Sequence, residues 1–205
     1  MKKISFLLLA GAIGFLSACN SNTSPDSVDS AKEANKEKDS SDTEPYYENY
    51  KTDTTVAGPI LPVDKDAANF AVDVANSGMM EIELGNYAQQ NSADDRVKAF
   101  GAMMAKDHTQ ANNELQAIAS SKNITLPASI GNDTKKEIEK LMKKTGKDFD
   151  KAYMSMMLDD HKKDVSAFEK NAKECKDTAI KNFAIKTLPI LRVHLDSAKA
   201  ITGKK

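Results

Sequence analysis

From Val97 to Ile118 the chain reads VKAFGAMMAKDHTQANNELQAI, and Val97, Gly101, Met104, His108, Ala111, Leu115 and Ile118 recur at alternating spacings of four and three. That spacing lays the seven residues along one face of an α-helix. The face is apolar except at its centre, where His108 sits. A related string, DKAYMSMMLDDHKKDVSAFEK, returns fifty-three residues later. The offset pairs Met103-Met104 with Met156-Met157, Asp107-His108 with Asp160-His161 and Leu115 with Phe168. A duplicated helical hairpin with a pseudo-two-fold axis would generate such a match. Two amphipathic helices that use similar core residues would generate it too.

The same periodicity runs from about residue 64 to 202, and no stretch alternates with period two for long enough to argue a sheet. A first helix is predicted from Lys65 to Gln90, capped by Asp64. Ser92 to Asp95 has the form of a capping box that opens a second helix, which runs to Ser121 and stops at Asn123. Thr134 and Glu137 form another such box before a short helix that reaches Lys144, with Gly146 closing it. Two more long helices follow, Phe149 to Ala172 and Asp177 to Thr202, with Pro189 inside the last. Gly78 and Gly85 lie in the first helix, where they allow close helix packing. The predicted fold is all-α: a ferritin-like four-helix bundle over residues 63–205, whose long crossover, 122–147, contains a short fifth helix. An up-down bundle with a helical flap is the alternative. A domain of about 140 residues buries a real core without disulfides. Cys175 is expected near the last turn as a small, partly buried hydrophobe rather than a nucleophile.

The N-terminus has a different character. Lys2 and Lys3 precede an apolar run, Ile4 to Leu16, that ends in Leu16-Ser17-Ala18-Cys19. This is the pattern of a lipoprotein signal peptide over residues 1–18, with cleavage before Cys19 and lipid attached to that cysteine. Asn20 after the cysteine suits sorting to the outer membrane of a diderm bacterium, with the domain in the periplasm. Residues 19–62 are rich in Ser, Asn, Thr, Asp, Glu and Lys and poor in apolar side chains. Such a segment is expected to be a disordered polar tether, dispensable for folding.

All three histidines fall in apolar stripes near helix middles. His161 follows Met154 and Met157 and precedes Val165 and Phe168. His194 stands in line with Phe183, Thr187, Ile190, Ala198 and Ile201. Glu81 lies on the inner face of the first helix, with Val74 and Gly78. Glu81, His108, His161 and His194 form a candidate first shell for a divalent transition metal such as zinc, iron or manganese. Asp107 and Asp160 are candidates for supporting the ligands from behind. Met104 and Met157, each four residues before a histidine, offer an alternative Cu(I) ligand set, although methionine also fills bundle cores. Ala105, Leu158 and Leu191 stand three residues before the histidines, so the Glu-x-x-His pairs of di-iron bundles are missing. The opposing reading is a structural polar cluster, each imidazole satisfied by a carboxylate or carbonyl. Counted from the helix ends, Glu81, His108 and His161 fall near one level, with His194 about 6–8 Å away.

Further strings carry a family likeness: Phe70, Gly78 and Glu81-Ile82-Glu83-Leu84-Gly85, then Val97-Lys98-Ala99-Phe100 with Met103-Met104 and Asp107-His108. Leu126-Pro127, Gly146 to Tyr153, Met157, Asp160-His161, Thr187-Leu188-Pro189, Leu191 and His194-Leu195 continue it. The chain resembles the bacterial domain-of-unknown-function family numbered four-one-four-two, over about residues 66 to 201. Ser77 stands where the family often has a second glycine. The resemblance implies a ferritin-like bundle in the cell envelope, often labelled an outer-membrane protein, and brings no established activity.

The net charge is −1, and no basic stripe marks a helix, so nucleic-acid binding has no footprint. No serine elbow, nucleotide loop or paired cysteines are present, and an enzymatic reading rests wholly on the Glu/His cluster. The sequence therefore reads as a lipid-anchored envelope protein, a binding or structural module that meets the membrane through its lipid. An envelope protein or a second copy is the partner to expect. The alternative is a metal-binding bundle in metal handling or stress response.

Overall fold

A computed structural model of the chain describes residues 25–38 and 64–204. The signal segment 1–18, Cys19 and residues 39–63 lie outside the described residues. The elements are all helical: α1 (Ser27–Lys36), α2 (Lys65–Asn91), α3 (Asp95–Ser121), α4 (Asn132–Met142), α5 (Gly146–Glu174) and α6 (Thr178–Thr202). No strand occurs among the described residues, and no described helix is long and apolar enough to cross a membrane.

The four long helices are α2, α3, α5 and α6. Three-residue links join α2 to α3 and α5 to α6, forcing two antiparallel hairpins. The hairpins meet through α2 against α5 and α3 against α6, so the ring runs α2, α3, α6, α5. Gly85 and Gly101 bring α2 and α3 together backbone to backbone. A Cβ on Gly85 would lie 2.6 Å from the Gly101 carbonyl, and one on Gly101 would lie 2.7 Å from the Gly85 carbonyl. This hairpin order bears on the MMxxDH likeness. A duplicated hairpin would match α2 with α5 and α3 with α6, whereas the likeness matches α3 with α5. Similar core demands on two helices therefore explain it better than duplication.

Several local signals act differently from their sequence reading. Asp94, not Ser92, caps α3, accepting from the Arg96 amide at 2.8 Å. Ser92 instead ends α2, its Oγ accepting from the Asp94 amide at 3.1 Å. Thr134 lies inside α4, where its hydroxyl accepts from Asn76 Nδ2 at 3.1 Å. Gly146 opens α5 with φ +53° rather than closing the crossover. Asn123 does take the left-handed conformation expected of it, with φ 56°. Cys175 caps the C-terminus of α5 and is half-buried, and burial pushes its thiol up.

The larger correction is α1. Residues 27–36 lie within the segment read as a disordered tether, yet they form a helix packed on α2 and the crossover. Average composition hid a short amphipathic face made by Val28, Ala31 and Asn35. Asn35 exchanges two hydrogen bonds with the Thr125 backbone, donating from Nδ2 to the carbonyl at 2.8 Å and accepting from the amide at 2.7 Å. Asp26 caps α1 through the Val28 amide at 2.8 Å and also accepts from the Asn132 amide, at the start of α4. α4 has no side-chain cap of its own, so Asp26 and Asn76, which accepts from the Gly131 amide at 2.8 Å, supply what it lacks. Lys32 pairs with Asp73 of α2 at 2.7 Å. An irregular crossover exposes backbone donors and acceptors that need partners, and α1 provides several.

The apolar interior falls into two clusters. One gathers Ala71, Ala75, Leu115, Phe168, Phe183 and Leu191. The other gathers Leu84, Met104, Tyr153, Met157, Leu158 and Ala198 with Ile138 and Leu141 of α4. On every long helix, one buried polar residue stands in sequence between members of the two clusters: Glu81, His108, His161 and His194.

Candidate metal centre

Each long helix delivers one side chain to this seam because its buried stripe passes through that residue. On α3 the stripe is Met104, His108, Ala111 and Leu115. On α5 it is Tyr153, Met157, His161 and Phe168. The α6 stripe differs from its sequence reading: Leu191, 2 % exposed, faces the core, and Ile190, 40 % exposed, faces out. Thr187, Leu191, His194 and Ala198 are the buried set. Glu81, His161 and His194 are at most 1 % exposed and His108 6 %.

The three imidazoles form a near-equilateral cluster, with ring centroids 5.6 Å apart for His108 and His161, 5.2 Å for His108 and His194, and 5.3 Å for His161 and His194. One nitrogen from each ring lies within 4.8 Å of those of the other two. Behind each ring stands an acceptor. Glu81 Oε2 is 2.9 Å from His108 Nδ1. The Met157 carbonyl is 3.0 Å from His161 Nδ1, with Glu81 Oε1 at 3.5 Å. Asp107 Oδ2 is 3.0 Å from His194 Nε2. A backbone carbonyl cannot donate, so His161 carries its proton on Nδ1 and its lone pair on Nε2. With ionised carboxylates the same logic places protons on His108 Nδ1 and His194 Nε2. The remaining nitrogens are His108 Nε2, His161 Nε2 and His194 Nδ1. His108 Nε2 is buried without a partner, and His161 Nε2 lies 3.2 Å from His194 Nδ1.

Burial dominates the electrostatics. It lowers the imidazoles of His108, His161 and His194 to about 4, against the pull of nearby Asp107 on His108 and His194 and of Glu81 on His161. It raises the Glu81 carboxyl to about 7, opposed by His161. These shifts describe a pocket that disfavours uncompensated charge of either sign.

The structure thus brings Glu81, His108, His161 and His194 together, and the His194 ring meets the other two. Counting from the far helix ends misled the reading, because a hairpin is registered by its turn. His161 stands thirteen residues before Glu174 and His194 sixteen after Thr178, a difference of about 4.5 Å along the axis. Glu81 sits against the Nδ1 sides of two rings, where it supports them from behind. Asp107 likewise supports His194, across the α3–α6 contact. Asp160 instead pairs with Lys163 at 3.1 Å on the surface. The side chains of Met104 and Met157 belong to an apolar cluster, and Met157 serves the site through its carbonyl. Two neighbours escaped the sequence reading. Asp164, three residues after His161 and so on the same helix face, has a buried Oδ2 without a partner. Its carboxyl is pushed well up by burial and by Glu81. Tyr153 has a buried, unpartnered hydroxyl, raised by burial and by Glu81. Spacing of three downstream of His161, and of four within its own stripe, was the available signal.

A narrow cleft of about 40 Å³ between α3 and α6 reaches the rings, lined by Asp107, His108, Glu114, Lys186, Thr187 and His194 among others. It gives the cluster a route to solvent wide enough for a water or an ion.

No curated protein and no solved structure matches this chain. The family model described as "Domain of unknown function (DUF4142)" matches residues 54–201. The chain, with its buried Glu81 and three-histidine seam inside the matched span, belongs to that family.

Proposed function

We propose that this protein is a metal-binding helical bundle of the cell envelope, and that His108, His161 and His194 are the ligands of a divalent transition metal. The observation that carries the reading is the 3.2 Å approach of His161 Nε2 to His194 Nδ1. With the other nitrogen of each ring facing an acceptor, both of these atoms present lone pairs, and two lone pairs at that distance repel. A cation between them turns the repulsion into two bonds. Tetrahedral bonds of 2.0–2.1 Å would separate the nitrogens by about 3.3–3.4 Å, close to the observed spacing. His108 Nε2 is the third donor, and the α3–α6 cleft leaves a fourth position for water or another ligand. The carboxylate and carbonyl behind the rings are the usual means of fixing a ligand imidazole's tautomer. Three imidazoles suit zinc, iron or copper.

We read the ring order of the helices, with its single long crossover, as ferritin-like. The apolar run ending in Leu16-Ser17-Ala18-Cys19 supports lipid anchoring and an outer-membrane lipoprotein whose domain lies in the periplasm. Elemental analysis of untagged protein, with melts before and after chelation, tests the metal reading. About one equivalent of a transition metal is expected, with Tm falling roughly 5–15 °C on its removal. Less than about a tenth of an equivalent, with no response to added zinc, iron, manganese or copper, leaves a structural polar cluster. Cell fractionation of Cys19→Ser tests the anchor. A variant as membrane-bound as the wild type defeats it.

A further inference from the structure

We propose that a second cation binds beside the histidine cluster, between the carboxylates of Glu81 and Asp164. It shares Glu81 with the three-histidine reading but otherwise rests on different residues. Glu81 Oε1 and Asp164 Oδ2 are both enclosed by protein and lack any hydrogen-bond partner. Ligand atoms of Glu81, Asp164 and His161 lie within 4.8 Å of one another. Glu81 is 1 % exposed, so its free oxygen is aimed into the interior. Two enclosed carboxylate oxygens without donors are costly unless something positive stands between them.

The surroundings decide what that is. Glu81 and Asp164 line a cavity of about 20 Å³ together with Ser77, His108, Asn112, Thr187 and four apolar side chains, large enough for one ion or one water. The polar groups available there are carboxylate, amide, hydroxyl and the His108 ring, whose Nδ1 is taken up by Glu81 Oε2 at 2.9 Å. His161 Nδ1 is committed to the Met157 carbonyl at 3.0 Å and adds no lone pair on this side. Lys163 does not fill the position, since it pairs with Asp160 at the surface. A pair of free carboxylate oxygens favours a hard divalent ion, manganese or magnesium, over one that prefers imidazole. Access is separate from that of the histidines. A groove of about 170 Å³ on the α2, α4 and α5 side reaches Asp164 past Ser77, Glu137 and Asp160. The acids along it attract a cation inward.

The test uses untagged protein given one equivalent of zinc and then titrated with Mn2+, free Mn2+ being counted by its electron paramagnetic resonance signal. Wild-type protein is expected to retain zinc and take up one Mn2+ per chain. Asp164→Asn, which keeps the side-chain shape, is expected to retain zinc and to bind Mn2+ at least about tenfold more weakly. His194→Ala is expected to lose zinc while holding Mn2+ within a few fold of wild type. Circular dichroism identifies a variant that fails to fold, in which case Asp164→Ser replaces it. A wild type that keeps zinc and binds no Mn2+ overturns the proposal, as does an Asp164 variant that binds like wild type. A proton or a water would then bridge the carboxylates. Failure of zinc, iron and copper alike to bind defeats the three-histidine reading alone, because wild type against Asp164→Asn in Mn2+ still decides the second position.

Discussion

Asp107 Oδ2 lies 3.0 Å from Nε2 of His194, a contact made between α3 and α6 over eighty-seven positions of sequence. Asp107 is the immediate neighbour of His108, yet it orients a different ring. One helix thus supplies one ring of the proposed site and, at the adjacent position, the support for another helix's ring. Removing the charge while keeping the shape, in Asp107→Asn, should weaken metal binding about 10–100-fold. Stability of the metal-free protein should change by less than about 1 kcal/mol, because Asp107 is partly exposed. Competition with a chromophoric chelator measures the first effect and a denaturant melt the second. An unchanged affinity would detach Asp107 from the site.

Met104 and Met157 are fully buried in the cluster on the α4 side of the seam. Their truncation to Ala should cost roughly 2–5 kcal/mol each, through lost burial and the cavity left behind. A urea midpoint shifted by under half of one such kcal/mol would mean that the stripes do not face the core. If the thioethers were copper ligands instead, the variants would also lose Cu(I) selectively, and a copper titration separates the two roles.

Asn35→Ala breaks the paired hydrogen bonds between α1 and Thr125. Both Thr125 backbone groups then lose their partners, at a cost of about 1–3 kcal/mol. Deleting residues through 63 should destabilise the bundle for the same reason, since α1 also partners the starts of the crossover and of α4. Equal melting temperatures with and without α1 would show that its docking adds nothing to the domain's stability.

Acid should destabilise the metal-free protein. Burial holds His108, His161 and His194 at about 4 in the fold, and unfolding returns each to about 6.5. Between those values the unfolded chain binds more protons, so stability falls as pH falls. Each ring contributes a slope of up to about 1.4 kcal/mol per pH unit. Glu81 acts in the opposite sense between 4.5 and about 7, because there the fold holds a proton that the unfolded chain releases. It offsets about one ring, and Asp164, whose carboxyl burial also raises, acts in the same sense, so the three rings leave a smaller net loss on acidification. Urea midpoints taken from pH 7 down to 4.5 should decline steadily. A flat profile would mean that the rings gain protons freely within the fold.

The helices could be read directly from the chain, because a period near 3.6 in apolar residues has one structural solution. Val97 to Ile118 and the stripe around His161 are of this kind, as is the placing of Glu81, His108, His161 and His194 on inward faces. Close packing at Gly85 followed from glycine in a helix interior. Tertiary structure decided the rest, since it depends on groups brought together from distant helices. Ser92 and Thr134 are competent caps in isolation, but Asp94 lies closer to the start of α3, and an Asn76 amide claims the Thr134 hydroxyl. α1 has too little apolar surface to announce itself, and it is ordered because the 122–131 backbone needs donors and acceptors that only a docked partner gives. The level of His194 is set by the turn joining α5 to α6, and the role of Asp107 by the contact between α3 and α6. Which nitrogen of each imidazole faces the centre is fixed by Glu81, the Met157 carbonyl and Asp107. Only the Met157 carbonyl belongs to the same helix as its ring; the two carboxylates come from neighbouring helices, where no local pattern in the sequence can place them.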